Sequence, residues 1–121
     1  MEYWYLISAA SLSFIGAIIH GVAGGKIYLG NINEATLTPL TKSLSLVAWH
    51  VFTIFLLVGA ATFAAVAHDP DLAIAAYPVI AVNLLGAALF IVLSLGSHRH
   101  LIKMPGAYLM GGTALLAWLG L

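Results

Sequence analysis

The sequence predicts an all-α integral membrane protein built as a four-helix bundle. Of its 121 residues, 63% are hydrophobic and only 7% are charged, and the mean hydropathy is +1.09. Soluble domains carry about 25% charged residues, and a soluble chain of this length buries only part of its apolar surface. Four apolar stretches approach the roughly 20 residues that a membrane-spanning helix needs. Lipid is therefore the expected surrounding for most of the chain.

The predicted spans cover residues 3–24, 40–67, 72–96 and 102–121 within one domain. Helices are expected because an isolated segment in lipid must satisfy its backbone polar groups internally. The first span begins with the aromatic residues Tyr3, Trp4 and Tyr5, which are typical of a membrane interface. It lacks the basic start of a cleaved signal peptide.

Polar stretches separate the spans. The longest is expected to form a loop from Gly24 to Pro39, with Thr38 as N-cap and Pro39 as first residue of the second helix. The sequence HDPD predicts a tight turn before the third span. Pro78 predicts either a kink in the third helix or an early start of that helix, and Pro105 lies near the start of the fourth.

The basic residues predict the orientation. All four lie on connections at one side of the predicted bundle: Lys26, Lys42, Arg99 and Lys103. Because basic loop residues favour the cytoplasm, we expect both termini to face outward. Net charge is zero with neutral histidines, and no basic face suggests nucleic acid.

Four of the five histidines are expected at one depth. With a rise of about 1.5 Å per residue, His20 and His50 lie near the cytoplasmic ends of two antiparallel helices. His98 and His100 follow the third helix, whereas His68 lies in the outward turn. Small and hydroxyl residues share the faces of His20 and His50, which predicts that both point into the bundle.

This histidine group predicts a cytoplasmic-side binding site for haem b or a divalent transition metal such as Cu, Zn or Fe, because imidazole ligates all of them. The expected role is electron transfer, sensing or metal handling. Glycines flanking the first histidine would leave room for a flat ring, and cationic residues at the interface would meet propionates. The candidate ligands are His20, His50, His98 and His100, supported by Gly16, Gly24, Lys26, Trp49 and Arg99.

Other roles remain open for the same residues. A histidine near a helix end can serve only as a hydrogen-bonded packing group, and Asn83 at mid-membrane is expected to bond another helix. The protein is then an accessory or scaffold subunit of a larger membrane complex, or a homo-oligomer. A small oligomeric transporter or channel is the third hypothesis, although the outer half of the bundle has no acidic or basic residue within the spans that would extend an ion path. The chain has no cysteine, and no carboxylate inside the spans supports hydrolytic catalysis.

Three short motifs carry a resemblance. HGVAGGKIYL, AWH and RHL followed by a proline resemble a group of small four-helix proteins of bacterial membranes. The resemblance points to His20, Trp49, His50, Arg99 and His100, and it implies a bacterial inner membrane but no activity. HGVAGGK and SHRHL are also similar to segments of the membrane anchor subunits of succinate dehydrogenase, which hold b-type haem and quinone. This chain differs from those anchors in its four spans, in Lys26 where they favour arginine, and in lacking their nearby aspartate.

Overall fold

The structure, a computed structural model, describes residues 2–121, and these residues form helices with no β-strand among them. The elements in order are α1 (Glu2–Ile18), a π-helical segment (Ile19–Gly24), α2 (Gly25–Glu34), α3 (Pro39–His68), a 3-10 segment (Pro70–Ala75), α4 (Ala76–Leu95), a second 3-10 segment (Arg99–Lys103) and α5 (Gly106–Gly120). The predicted all-α class is confirmed.

Three continuous helical stretches, Glu2–Glu34, Pro39–His68 and Pro70–Leu95, are long and apolar enough to span a membrane. Helix α5 is apolar but has only 15 residues, a length of about 22 Å. The hydrocarbon core of a bilayer is about 30 Å thick. The fourth predicted span is therefore shorter in the structure than the sequence suggests.

The first helical stretch continues ten residues beyond its predicted end. The loop expected from Gly24 to Pro39 is wrong, because Gly24 and Gly25 keep helical dihedral angles and α2 runs on to Glu34. The ammonium group of Lys42 donates a hydrogen bond to the carbonyl oxygen of Asn33 at 2.6 Å. A cation at the carboxyl end of a helix is favourable because the last carbonyls carry partial negative charge.

The predicted start of α3 is confirmed. The Thr38 hydroxyl accepts a hydrogen bond from the Thr41 backbone at 3.3 Å, and Pro39 is the first helical residue. In the HDPD turn, the Asp69 carboxylate accepts from the Asp71 backbone at 3.2 Å. Pro78 is the third residue of α4, so it belongs to an early start of this helix rather than to a kink.

Helix α5 begins later than expected because the preceding chain leaves the helical region twice. Gly96 has φ −99° and ψ −134°, which ends α4. Met104 is extended, with ψ 148°, as the steric clash with a following proline favours. The helix then begins at Gly106, directly after Pro105.

Helix α1 packs against both α3 and α5, and α4 packs against α5. Small buried residues such as Ala9, Ala114 and Ala117 occupy the core beside Phe63, which allows close helix approach. The Tyr3 hydroxyl lies 3.4 Å from Nε2 of His68, and a Cβ on Gly120 would lie 3.1 Å from the carbonyl oxygen of Glu2. Both termini therefore lie at one end of the bundle.

Large apolar side chains cover much of the outer surface. Leu85, Leu95 and Ile74 are 70–79% exposed, and many further leucine, isoleucine and valine residues are more than half exposed. Monomeric soluble proteins rarely present apolar patches of such extent. The surface therefore fits lipid better than water.

Candidate functional site

The π-helical segment has the sequence IHGVAG and contains His20. Its wider turn is closed by the backbone N–H of Gly25, which bonds to the carbonyl oxygen of His20 five residues earlier. Segments of π-helix are rare and occur frequently at functional sites. The sequence pattern did not predict this segment, which lies at the level of the predicted histidine group.

Two glycines of this segment allow α3 to approach closely. A Cβ on Gly21 would lie 2.8 Å from Cγ2 of Thr53, and a Cβ on Gly24 would lie 2.9 Å from Cζ2 of Trp49. Both distances are shorter than real Cβ contacts, so alanine at either position would require the facing side chain or its helix to shift. The space that the sequence assigned to a flat ligand beside Gly24 is thus partly filled by the Trp49 indole.

The His20 imidazole is held on two sides by α3. Its Nδ1 lies 2.9 Å from the Thr53 hydroxyl, and its ring stacks on Trp49 with centroids 4.0 Å apart and an interplanar angle of 12°. The Trp49 indole N–H also donates to the His20 carbonyl oxygen at 2.9 Å. Phe52 meets the ring edge-on. The imidazole therefore has one well-defined orientation.

The second ring nitrogen of His20, Nε2, has no hydrogen-bond partner among residues 2–121. Whether Nε2 is a hydrogen-bond donor or acceptor depends on whether Nδ1 carries a proton. If Thr53 donates to Nδ1, then Nε2 carries a proton and is a donor; if Nδ1 donates to Thr53, then Nε2 offers a lone pair. Either form leaves one polar atom available to a ligand.

A cavity of about 350 Å³ lies between α1, α3, α4 and α5, and His20 is in its wall. This volume is within the range of ligand sites in proteins, about 300–1,000 Å³. Three other sequence-predicted residues, Gly16, Gly24 and Trp49, also line it. The remainder of the wall is mainly leucine, phenylalanine and methionine from all four helices.

Asn83 on α4 is the most deeply buried polar residue of this wall, with 1% of its surface exposed. Its amide nitrogen donates to the Val79 carbonyl oxygen at 2.9 Å within the same helix. The expected bond to another helix is therefore not formed, and Oδ1 has no partner within the described part of the chain. An unsatisfied buried acceptor of this kind costs about 1–3 kcal/mol. In the sequence, the feature that indicated a buried polar group here was a lone asparagine within an apolar span.

His50 lies at the level of His20 but belongs to a different cavity. A Cβ on Gly25 would lie 3.9 Å from Cε1 of His50 and 3.8 Å from the His20 carbonyl oxygen. His50 lines a second cavity of about 330 Å³ with Ala17, Gly21 and Thr53, whereas His20 lines the first. The predicted common depth is present, but the two imidazoles do not share one ligand space in this structure.

The other sequence-predicted residues lie outside both cavities. His98, Arg99, His100 and Lys26 are exposed, and the rings of His98 and His100 face each other edge-on with centroids 6.1 Å apart. Residues 2–121 contain no group of three or more histidine, aspartate or glutamate side chains placed to hold one metal ion. A closed structural zinc site uses four such ligands, so the described residues do not build one.

A haem group would find part of its usual environment in the first cavity. His20 offers one oriented ring nitrogen, and the apolar wall suits a porphyrin. His50 does not line this cavity and would not help to hold the group there. The residues therefore fit haem bound through a single histidine better than haem clamped between two.

Comparison with known proteins adds no relative: no family model, no curated protein sequence and no solved structure matches this chain. The resemblances suggested by the short motifs stay predictions. The functional argument accordingly depends on the cavity and the side chains in its wall.

Proposed function

We propose that this chain is an integral membrane protein that binds a small, predominantly apolar molecule in the cavity between α1, α3, α4 and α5. The observation that supports the proposal is a cavity of about 350 Å³ whose wall holds an oriented imidazole, that of His20. A ligand that meets a fixed polar group loses less free energy to ordering on binding. The role is binding rather than catalysis.

The wall of the cavity reaches the outer surface of the bundle. Ile19, Leu89 and Met104 line it and are 38%, 57% and 50% exposed. In a bilayer, these residues face the acyl chains or the interface. A lipophilic ligand would enter from the membrane phase, where it is already concentrated, rather than from water.

Haem b is the second candidate ligand, favoured by the free Nε2 of His20. Ligating histidines commonly engage the other ring nitrogen in a hydrogen bond that orients the ring, and Thr53 provides that bond. When bound, haem would supply one-electron chemistry. The chain itself would provide His20 as ligand and the apolar wall that excludes water. A lone Cu, Zn or Fe ion is less favoured because it requires further protein ligands.

The proposed site lies at the cytoplasmic end of a protein of the bacterial inner membrane. Lys26, Lys42, Arg99 and Lys103 are all at the end of the bundle that holds His20, whereas Glu2, Asp69 and Asp71 are at the opposite end. The positive-inside rule then orients both termini outward. Because the chain has no cysteine, single cysteines at Ser97 and Asp71 report this directly. A membrane-impermeant maleimide added to intact cells should label the variant at Asp71 and spare the one at Ser97; the reverse pattern refutes the orientation.

The binding proposal is tested in lipid nanodiscs with 2-methoxynaphthalene as an apolar probe. Trp4 and Trp118 are 69% and 61% exposed, so replacing both with phenylalanine leaves Trp49, in the cavity wall, as the only tryptophan. Energy transfer from Trp49 to the probe then reports occupancy. We expect saturable binding beyond the partition of the probe into empty nanodiscs.

A matched pair of glycine variants decides where the probe binds. Gly16 lines the cavity, and the nearest atom to a Cβ there is a Leu56 methyl at 3.9 Å, so Gly16→Leu inserts its side chain into the cavity without a backbone clash. The part of the chain that the structure describes places no atom within 4 Å of the Cβ position of Gly30, which makes Gly30→Leu the control. We expect Gly16→Leu to weaken binding at least about tenfold and Gly30→Leu to leave it unchanged. Equal binding by both variants would disprove the proposal.

The haem hypothesis has a separate optical test. An absorption spectrum of the purified protein, oxidised and reduced, should show a Soret band that His20→Ala removes and His50→Ala retains, because only His20 lines the first cavity. Loss of the band in both variants would favour the two-histidine clamp expected from the sequence. Absence of the band in the unmodified protein would leave a lipid-like ligand as the occupant.

The alternative hypothesis is a different kind of function, that of an accessory subunit of a larger membrane complex. It assigns the outer apolar surface to partner helices and the histidines to packing, as the Thr53 and Trp49 contacts of His20 would allow. A native mass measurement from mild detergent discriminates the two. A stable larger complex that survives Gly16→Leu favours the accessory role, whereas a monomer that retains the probe favours ligand binding.

A further inference from the structure

We infer that the ligand of the cavity carries a hydrogen-bond donor, a hydroxyl or an N–H group, that binds Oδ1 of Asn83. This inference rests on the proposed function and names its ligand class: an uncharged, mainly hydrocarbon molecule with one such polar group. A pure hydrocarbon or an ether would leave this acceptor unmatched. Nothing in the sequence motifs around the histidines indicates this requirement.

The geometry at Asn83 leaves an acceptor rather than a donor. The amide group has one protein partner, the Val79 carbonyl oxygen, and a carbonyl can only accept. The atom bonded to it must therefore be the amide nitrogen, because the opposite orientation would bring two acceptors together. Oδ1 is the atom that remains buried without a partner in residues 2–121.

The other hydroxyl groups of the wall do not satisfy Oδ1. Ser13 donates its proton to the Leu56 carbonyl oxygen at 2.8 Å, and Thr113 donates to the Leu109 carbonyl oxygen at 2.7 Å. Each hydroxyl has a single proton, so both are already used. The donor for Oδ1 must come from a molecule that is not part of the described chain.

The charge of the ligand follows from the rest of the wall. Apart from the titratable His20, none of the described residues that line the cavity is acidic or basic. A charged ligand would be desolvated there without a counter-charge, which is strongly unfavourable. The occupant is therefore neutral, with its donor directed to Asn83 and its hydrocarbon body against leucine and phenylalanine.

The ligand has to move a neighbour slightly to reach Oδ1, since Asn83 is only 1% exposed. Met110 is the flexible part of that wall: it lines the cavity, and its terminal methyl packs against Gly86, one turn along α4 from Asn83. A methionine side chain changes rotamer readily. We expect a change of the Met110 rotamer to open a path to Oδ1.

The test compares 2-naphthol with 2-methoxynaphthalene in the nanodisc assay with Trp49 as sole tryptophan. The two probes share a ring system, but only 2-naphthol can donate a hydrogen bond. After correction for partition into empty nanodiscs, we expect the protein to prefer 2-naphthol about fivefold. Asn83→Leu should abolish this preference while still binding 2-methoxynaphthalene. Asn31→Leu, at an exposed position on α2, should keep the preference.

The outcomes separate this inference from the proposed function. Binding of both probes with the same ratio in the unmodified protein and in Asn83→Leu overturns the role of Asn83 but leaves an apolar-ligand site. A water molecule on Oδ1 would give that result. If neither probe binds, or if Gly16→Leu binds 2-methoxynaphthalene as well as Gly30→Leu does, the site itself is overturned. If Asn83→Leu lowers the helicity measured by circular dichroism, Asn83→Met is the substitute, because it fills similar volume with a more adaptable side chain.

Discussion

Replacing Asn83 with leucine should stabilise the protein. Oδ1 is buried without a partner among residues 2–121, which costs about 1–3 kcal/mol, and the substitution removes that penalty. The bond from the amide nitrogen to Val79 is lost as well, a loss of about 1 kcal/mol. The Val79 carbonyl is a member of the α4 backbone ladder and keeps its helical partner, so no new unsatisfied group forms. The net gain is about 0–2 kcal/mol.

The assay is thermal unfolding in detergent followed by circular dichroism, with Asn31→Leu as the control. Asn31 is exposed on α2, so its substitution should change the free energy of unfolding by less than about 0.5 kcal/mol. A midpoint for Asn83→Leu several degrees above that of the unmodified protein supports the argument. A fall of more than about 1 kcal/mol in the free energy of unfolding would show that Oδ1 has a hydrogen-bond partner in the native protein and would refute the reasoning.

Two further predictions concern the contact between the π-helical segment and α3. Gly24→Ala should destabilise the protein by about 1–3 kcal/mol, because its Cβ would lie 2.9 Å from the Trp49 ring. Gly30→Ala, with no neighbour within 4 Å among residues 2–121, should instead stabilise α2 by about 0.5–1 kcal/mol. Equal midpoints of the two variants in thermal unfolding would contradict the packing of Gly24 against Trp49. Thr53→Val keeps the shape of the side chain but removes the partner of His20 Nδ1. The ¹⁵N chemical shifts of the imidazole should then change from values typical of one dominant tautomer to values typical of a mixture. Unchanged shifts would show that another group sets the position of the proton.

A stabilising Asn83→Leu substitution together with a loss of donor preference would have a simple meaning. Proteins commonly retain polar groups at binding sites at the expense of stability. The unmatched acceptor in an apolar wall would then be kept because a ligand supplies the missing partner. Stability and binding measurements on the same variant therefore test one physical idea from two directions.

Composition and local sequence pattern predict the fold class and much of its layout. Composition and the length of apolar stretches are local properties, and they correctly predicted an all-helical chain with long apolar helices. Local hydrogen-bonding chemistry also predicted the start of α3 at Thr38 and Pro39. Counting residues along antiparallel helices placed His20 and His50 at one depth, since the helical rise is nearly constant.

The directions in which these side chains face and the ends of the helices depend on tertiary contacts. A face is set by rotation about the helix axis, and the π turn at Ile19–Gly24 adds a residue that rotates everything after it. Close packing of Gly21 and Gly24 against α3 keeps a glycine-rich stretch helical that reads as a loop. His20 and His50 line separate cavities. Asn83, which the sequence assigned to an interhelical bond, bonds within its own helix and leaves its oxygen without a partner among residues 2–121. These outcomes depend on contacts between distant parts of the chain, and no local pattern encodes them.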